Sequence, residues 1–244
     1  MFELLLYIVY LCLFVFWAIA VWKLIYAFKH FRIENTTNTT ELLDKLPSVT
    51  VCIPARNETH AMTECLEKVI ASSYPKLEVI VMDDSSADDT SIIIKSFAHA
   101  GVRFIEGKDL PSGWLGKNYA LQRLLEQASG SYIFFMDVDT RIQPGAIEQL
   151  VAYASQHKAQ MVSVLPRRED GWRASVVFSS LRYLWELLFH SKTSPATASS
   201  AWLIERKVLL ENDGFEKYKD AIQPESKYSG ELMAKNKYRF LIGS

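Results

Sequence analysis

The sequence predicts an α/β domain tethered behind one membrane-spanning helix. A run of nineteen uncharged residues near the N-terminus, from Leu4 to Trp22, indicates the helix. After Pro47, short apolar runs alternate with stretches that carry apolar residues at helical spacing, which is typical of a parallel sheet covered by helices. Polar residues collect where the apolar runs end, and ligands bind at that edge of such sheets.

Residues 1–29 form the predicted transmembrane anchor. At about 1.5 Å per residue, the uncharged run nearly crosses the ~30 Å hydrocarbon core of a bilayer. The apolar residues beyond Lys23 extend the run, because a lysine near a helix end can reach the headgroups with its amine. A cleavable signal peptide would have a positive N-terminal region, whereas the only early charge here is Glu3. A buried core helix is the alternative, although core helices usually show a polar stripe.

The flanking charges predict the orientation of the anchor. Lys23, Lys29, His30 and Arg32 follow the apolar run, and Glu3 precedes it. The positive-inside rule therefore predicts a single-pass protein of the cell membrane, with the N-terminus outside and the residues from about 30 onward in the cytoplasm. Residues 30–47 are polar and rich in Thr and Asn, which is typical of a linker, and residues 48–244 form the predicted domain.

The composition excludes several classes of function. The chain has 27 Lys and Arg against 28 Asp and Glu, so it lacks the basic character of a nucleic-acid-binding domain, and no nucleic acid is expected as a partner. Charged residues at 23% and aromatic residues at 12% exclude a mostly disordered chain. Cys12, Cys52 and Cys65 fit neither a disulfide framework nor zinc-site spacing, which favours a reducing compartment.

The elements of the domain follow one another as strand, helix, strand, helix, strand, helix and strand. The predicted strands are residues 48–55, 77–84, 102–107 and 131–140, and the predicted helices are 58–74, 85–101 and 114–130. PARNE follows the first strand, DDSSADD the second, and DVD ends the fourth. One such cluster alone is more often a helix cap or a turn, but three clusters at the strand ends of one sheet favour a ligand site.

Asp137 and Asp139 give the most specific indication of a function among these polar clusters. In an extended segment alternate side chains share a side, so both carboxylates are expected to face one ion. Oxygen ligands of this kind suit Mg²⁺ or Mn²⁺, which substrate phosphates would also hold. Asp84 complements the pair, because a carboxylate at a strand end can accept hydrogen bonds from a nucleobase or a ribose hydroxyl. Neither G-x-G-x-x-G nor G-x-x-x-x-G-K-[ST] is present, which disfavours dinucleotide binding and a P-loop enzyme.

These segments together resemble the family-2 inverting glycosyltransferases, which have a GT-A fold with a Rossmann-like mixed sheet. The resemblance extends from about Ser48 to the C-terminus through VTVCIPARNE, VIVMDDSSADDT, GWLGKNYA and YIFFMDVDT. The segment DLPSGWLGKNYA, with the anchor, looks particularly like the membrane-anchored subgroup that glycosylates carotenoid, hopanoid or other lipid acceptors.

The resemblance implies a role for each strand-end residue. Asp84 would bind the base of a nucleoside-diphosphate sugar, and Ala55 and Glu58 would line the same pocket. Lys117 would approach the donor. Asp137 and Asp139 would form the DxD pair, with Asp139 coordinating the metal ion and the diphosphate.

The sequence departs from the family at the general base. Family members usually carry Glu-Asp near the start of a later helix, where the Asp deprotonates the acceptor hydroxyl. Here Glu225 fits, but Ser226 occupies the position of the Asp, and a Ser has no pKa suited to a base near neutral pH. Either Glu225, ranked first, or Asp220 takes the role, or the protein is catalytically weak. Relatives also commonly continue with a Q-x-x-R-W-type element, so a domain truncated at its C-terminus is expected.

Two further segments bear on the acceptor. Residues 198–215 resemble the family's acceptor-side segment, where Trp202 would pack against a sugar or lipid face, although a core or sheet-edge position is equally expected. Residues 171–190 place apolar side chains at helical spacing beside two arginines, which fits a helix in the membrane interface or a core helix.

The resulting hypothesis is a membrane-anchored, metal-dependent glycosyltransferase. It would move a sugar, with inversion, from a nucleotide sugar (a UDP-sugar favoured by family habit) to a hydroxyl acceptor that is lipid-borne or otherwise in the membrane. The first alternative is a catalytically impaired protein of the same fold that binds nucleotide or a partner. The second is a nucleotidyltransferase, although PARNE lacks the Gly-, Arg- and Lys-rich phosphate loop of that class.

Overall fold

The computed structural model describes residues 2–30, 46–166 and 195–243. The first part is one helix, α1 (Phe2–His30). Its segment Leu6–Lys23 is long and apolar enough to cross a membrane, and 6% of that segment is buried. The predicted linker lies almost wholly outside the described residues, and the apolar segment 171–190 lies wholly outside them.

The domain begins with strands and helices in strict alternation and continues with a second set of strands. The strands are β1 (Val49–Ala55), β2 (Leu77–Asp83), β3 (Val102–Glu106), β4 (Tyr132–Met136), β5 (Met161–Leu165), β6 (Ala201–Glu205) and β7 (Tyr238–Ile242). The helices are α2 (Thr59–Ile70), α3 (Thr90–Ser96), α4 (Gly116–Gln127), α5 (Ala146–Gln156), α6 (Arg206–Leu210) and α7 (Pro224–Ala234), with short 3₁₀ turns at Phe97–Ala100 and Glu216–Tyr218.

The strands form a seven-stranded mixed sheet in the order β3-β2-β1-β4-β6-β5-β7. β1, β2, β3 and β4 are parallel, as the alternation of strands and helices predicts. β6 lies antiparallel between β4 and β5, and β7 is parallel to β5. The predicted fold class, a mixed α/β sheet, is therefore confirmed.

The strand β1 shows why the sheet needs helices on both faces. Val49, Val51 and Ile53 join a core cluster with α2, α3 and α5, while Cys52 joins a second cluster with α4, α6 and α7. Alternate side chains of a strand point to opposite faces, so a strand that is apolar at nearly every position must be covered twice. The loops at the carboxyl ends of β1, β2 and β4 are left at the edge, where they can meet a ligand.

One predicted helix is shorter in the structure. Residues 85–101 are expected to be helical throughout, but α3 begins at Thr90. The Asp88 carboxylate accepts hydrogen bonds from Thr90 N (3.1 Å) and from Thr59 N (3.3 Å). Interactions with the side chains of Thr59 and Thr90, and to a smaller extent these backbone hydrogen bonds, lower the pKa of Asp88. The acidic cluster thus ties the loop after β2 to the start of α2 instead of forming a first helical turn.

Glu78 holds together the amino-terminal edge of the sheet, which faces away from these loops. Its Oε2 accepts hydrogen bonds from Thr50 Oγ1 (2.6 Å) and from Ser129 N and Oγ (2.9 Å each). Its Oε1 lies 2.5 Å from Arg103 Nη1. Burial acts to raise the pKa of Glu78, but the hydrogen bonds outweigh it and lower the pKa below the ordinary value.

We expect Glu78→Gln to lower the free energy of unfolding by about 1–3 kcal/mol at pH 7, because the amide cannot accept all of these hydrogen bonds. A pKa lowered by folding stabilises the protein above the pKa of the unfolded state, and that stability is lost as the pH falls through the folded-state pKa. The difference between wild type and variant should therefore shrink below about pH 4. Denaturant unfolding of the full chain in detergent, at pH 7 and at pH 3.5, measures both quantities.

Glu106→Gln is the matched control for this prediction. Glu106 is exposed at the end of β3, so removing its charge should change the free energy of unfolding by less than about 0.5 kcal/mol. A Glu78→Gln penalty that is equal at both pH values would contradict the role given to the carboxylate.

Candidate active site

The carboxyl ends of β1 and β2 enclose Asp84. The backbone N–H of Asp84 donates to Ala55 O (2.7 Å), and the Arg56 guanidinium lies 3.6 Å from Asp84 Oδ2. Two glycines let other segments approach: a Cβ on Gly116 would lie 3.4 Å from Asp84 Oδ2, and one on Gly107 would lie 3.2 Å from Asp84 Cα. The Asp84 side chain is left 18% exposed.

The loops after β1 and β2 are fastened to each other by side-chain to backbone hydrogen bonds. Asn57 adopts a left-handed conformation (φ 56°), and its Oδ1 accepts from Ala87 N at 2.8 Å. The N–H of Asn57 donates to Ser86 Oγ (2.9 Å), and the N–H of Glu58 donates to Thr90 Oγ1 (2.8 Å). The backbone that presents Glu58 is therefore held in one position relative to β2.

The DVD segment forms a turn after β4. Thr140 N donates to Asp137 O (3.0 Å), while Asp137 N and Thr140 Oγ1 both donate to Ser200 O, at 3.0 and 3.1 Å. The expectation that this segment is extended is therefore wrong: strand pairing ends at Met136, and the chain turns to bury Val138.

The two carboxylates of this turn have different surroundings. Asp137 Oδ1 accepts a hydrogen bond from Lys117 Nζ at 2.6 Å, and its side chain is 31% exposed. Asp139 is exposed, and within the described ranges its carboxylate makes no hydrogen bond or ion pair. Asp139 is thus open to an incoming ligand, whereas Asp137 already has a cationic partner.

Negative charge is concentrated between the β1 loop and the end of β4. The pKa of Glu58 is raised by burial and then by the charges of Asp139, Asp137 and Asp88. Such a group of carboxylates is stabilised by a cation, and carboxylate oxygens are ligands that Mg²⁺ and Mn²⁺ accept. Among residues 2–30, 46–166 and 195–243, no three His, Cys, Asp or Glu side chains are placed to hold an ion by themselves. The donor set therefore fits an ion that takes its remaining ligands from phosphate and water.

The candidate base residues lie on and before α7. Glu225 is the second residue of this helix and is 3% exposed. Ser226 donates its backbone N–H to Gln223 O (3.2 Å), which closes a turn at the helix start. Asp220 is exposed in the preceding loop. A buried carboxylate in a helix has a fixed position, whereas an exposed loop carboxylate is less constrained.

Comparison with known proteins identifies the family. Residues 50–207, more than half of the chain, match the family described as glycosyl transferase family 2. The chain belongs to this family. The match includes the segments that carry Asp84, Lys117 and the DVD turn.

The relatives of this family-2 domain include proteins from several organisms. The 4,4'-diaponeurosporenoate glycosyltransferase of Staphylococcus aureus is 33% identical over 121 residues, which cover 49% of this chain and 32% of that protein. Mannosyltransferase PcManGT of Pyrobaculum calidifontis, solved with GDP-Man and Mn²⁺, has a TM-score of 0.62 at 21% identity over 92% of this chain and 65% of its own. Glucosyl-3-phosphoglycerate synthase of Mycobacterium tuberculosis, solved with Mn²⁺, UDP and glucosyl-3-phosphoglycerate, has a TM-score of 0.53 at 20% identity over 86% and 76% of the two chains. The two structural likenesses extend to the fold, and the sequence match spans about a third of the curated relative.

The structure of the family-2 domain brings most of the predicted site residues to one edge of the sheet. Six of them lie at or beside the carboxyl ends of β1, β2 and β4: Ala55, Glu58, Asp84, Lys117, Asp137 and Asp139. Trp202 does not join them. Its ring is 1% exposed in β6, with centroids 4.4 Å from Phe135 and 6.2 Å from Phe215. The core alternative for Trp202 is therefore the correct one, because the ring is enclosed by aromatic neighbours and reaches no acceptor surface.

Sequence reasoning missed one residue of the family-2 domain that contacts both of its halves. Asn118 follows Lys117 and is 2% exposed, and its Nδ2 lies within hydrogen-bonding distance of three carbonyl oxygens in the loop before α7. The signal was present: Asn118 is in register with Leu121 and Leu125 on the buried face of α4. A polar side chain at the first position of an apolar helix face needs a partner, since a buried amide without one is costly.

Proposed function

We propose that this protein is a membrane-anchored inverting glycosyltransferase that moves a sugar from a nucleoside-diphosphate sugar to a hydroxyl acceptor carried by a lipid. The observation that carries the proposal is the cluster of Asp84, Glu58, Asp137 and Asp139 at one sheet edge, with Lys117 beside it. Family membership supports the reaction type.

Each of these groups has its own role in the proposed donor site. Asp84, at the carboxyl end of β2, accepts hydrogen bonds from the base, and Ala55 and Glu58 flank the base from the end of β1. Lys117 is within reach of Asp137 and approaches the diphosphate, whose negative charge grows as the sugar leaves. Asp139 would hold a divalent ion, Mg²⁺ or Mn²⁺, which when bound would neutralise charge at the diphosphate. Structural neighbours solved with Mn²⁺ and with UDP or GDP-Man support the ion and the donor class.

Inversion requires one protein base and no covalent sugar–enzyme intermediate. The acceptor hydroxyl attacks the anomeric carbon from the face opposite the diphosphate and gives its proton to a carboxylate. Glu225 is the first choice for this base and Asp220 is the second, because Glu225 is fixed in α7.

The lipid acceptor and the location are inferred from α1 and from the carotenoid-type relative. α1 has the length and composition of a membrane span, and the positive charges that follow its apolar run support a domain in the cytoplasm, where nucleotide sugars are made. An anchored domain also keeps its site near acceptors that cannot leave the bilayer. The S. aureus relative supports a lipid-like acceptor through its name.

Incubation of membranes containing the full chain with a panel of radiolabelled nucleotide sugars tests the function. With Mn²⁺ or Mg²⁺ present, we expect label from one donor to enter the organic phase after lipid extraction, and no such label with Asp139→Ala. Label that appears only in water-soluble product would overturn the lipid acceptor while keeping the transferase.

The second candidate is a nucleotide-binding protein with impaired catalysis, which Ser226 at the position of the family's Asp favours. Calorimetry separates the two candidates. Binding of a UDP-sugar without transfer to any extracted acceptor would favour the impaired protein over the enzyme.

A further inference from the structure

The first turn of α4 contacts three different parts of the domain through three consecutive residues. Gly116 lies against Asp84, and Lys117 bonds to Asp137, so these two face the donor site. Asn118 points away from both, because successive side chains of a helix are about 100° apart. It faces the loop of residues 218–221, which leads into α7.

The contacts of Asn118 are unusually dense for one side chain. Its Nδ2 lies 3.0 Å from Tyr218 O, 3.0 Å from Lys219 O and 2.8 Å from Ala221 O. Leu115 N adds a fourth link by donating to Lys219 O at 2.9 Å. An amide NH₂ has two hydrogens, so it is shared among the three oxygens.

The loop cannot hold this shape alone. Its carbonyl oxygens converge because Ala221 N donates back to Tyr218 O (3.0 Å), which curls the chain. Converging carbonyl dipoles repel one another unless a donor lies between them, and the site of Asn118 is closed to water at 2% exposure. The loop conformation therefore depends on the amide of Asn118.

We infer that Asn118 is a positioning residue that sets the loop of Asp220 and the start of α7 relative to the donor site. This inference rests on the proposed function, since it concerns the alignment of the acceptor-side carboxylates with a bound donor. Lys117, in the same helical turn, is bonded to Asp137, so the loop is held by the element that also faces the donor site. The loops after β1 and β2, where Asp84 lies, are joined by hydrogen bonds that do not involve Asn118.

Gln122 provides the matched control, one turn further along α4. Its Oε1 accepts a hydrogen bond from Phe215 N at 2.8 Å, so it also ties α4 to the segment before α7. This contact holds Phe215, which precedes the loop of Asp220 in the chain. It involves none of the groups proposed to hold the donor. If the Asn118 contact only stabilised the fold, substitutions at Asn118 and at Gln122 would change kcat alike at equal stability.

Asn118→Asp tests the inference, because it keeps the shape of the side chain and places a carboxylate opposite three carbonyl oxygens. In the full chain in membranes we expect kcat to fall about 10- to 100-fold, as a misplacement near 1 Å can cause. The Kd of the donor, measured by calorimetry with UDP-sugar and Mn²⁺, should stay within about twofold of wild type, since the donor pocket is intact. Hydrogen exchange should accelerate at the amides of Leu115 and Ala221.

Gln122→Ala should lower kcat less than about threefold, even where it lowers the melting temperature as much as Asn118→Asp does. Equal losses of kcat in the two variants at equal stability would overturn the positioning role, and so would a donor Kd that weakens in step with kcat. If the wild type transfers sugar and Asn118→Asp does so with the same kcat, the positioning role alone is refuted. A wild type that transfers no sugar overturns the proposed function, and the positioning role falls with it.

Discussion

Asp139→Ala should lower sugar transfer at least about 100-fold and remove the metal dependence of donor binding, because it deletes the one open carboxylate of the DVD turn. The Asp139 carboxylate is exposed and makes no ion pair within the described residues, whereas Asp137 is bonded to Lys117 at 2.6 Å. Asp139 is therefore the carboxylate of this turn that would hold an ion. Calorimetric titration with UDP-sugar, with and without Mn²⁺, separates loss of the ion from loss of the nucleotide.

Two variants serve as controls for this result. Asp139→Asn keeps the shape of the side chain and removes its negative charge. It should therefore behave like Asp139→Ala if the charge of the carboxylate is what holds the ion. Glu67→Gln removes one negative charge from the exposed face of α2, outside the site, and should leave transfer and metal dependence unchanged. Undiminished transfer by Asp139→Ala would refute the assigned site.

Glu225→Gln should lower kcat about 100- to 10,000-fold with little change in donor Kd, since a general base contributes to the chemical step and not to donor binding. The amide has nearly the shape of the carboxylate, which matters at a position that is 3% exposed. Single-turnover transfer with donor and acceptor both saturating measures the chemical step.

Asp220→Asn is the matched comparison for the base. Asp220 is exposed in the loop before α7, and we expect its variant to retain kcat within about fivefold of wild type. A large loss in Asp220→Asn with near-normal Glu225→Gln would assign the base to Asp220. Near-normal kcat in both would show that neither carboxylate accepts the proton.

The parts of the molecule that could be predicted from the sequence are the ones written in local patterns. The uncharged run of α1, the apolar strands and the polar residues that follow them are each visible within ten to thirty residues. The carboxyl ends of parallel strands meet at one edge, so Asp84, Lys117 and the DVD turn could be placed together before any coordinates.

The parts that could not be predicted depend on contacts between distant segments. Asn118 meets Ala221 across 103 residues, and only the fold reveals that contact. The antiparallel direction of β6 is also hidden, because an apolar strand reads the same in either direction. The DVD segment was expected to be extended because it follows a strand, but Ser200 binds both ends of it as a turn. The sequence alone does not distinguish a core position from an acceptor-facing position for Trp202, because its aromatic neighbours, Phe135 and Phe215, lie in other segments of the chain.

The order of the strands has a consequence for how such proteins diversify. All groups proposed to hold the donor lie between Ala55 and Asp139, in one uninterrupted stretch, while the candidate bases lie beyond residue 200. Recombination downstream of Thr140 could therefore exchange the acceptor while inheriting the nucleotide chemistry whole. Such a chimera would still have to fit its new loop to Asn118. The Asn118 amide, like the pairing of β4 with β6 and the bonds of the DVD turn to Ser200, is thus a compatibility requirement for such a graft.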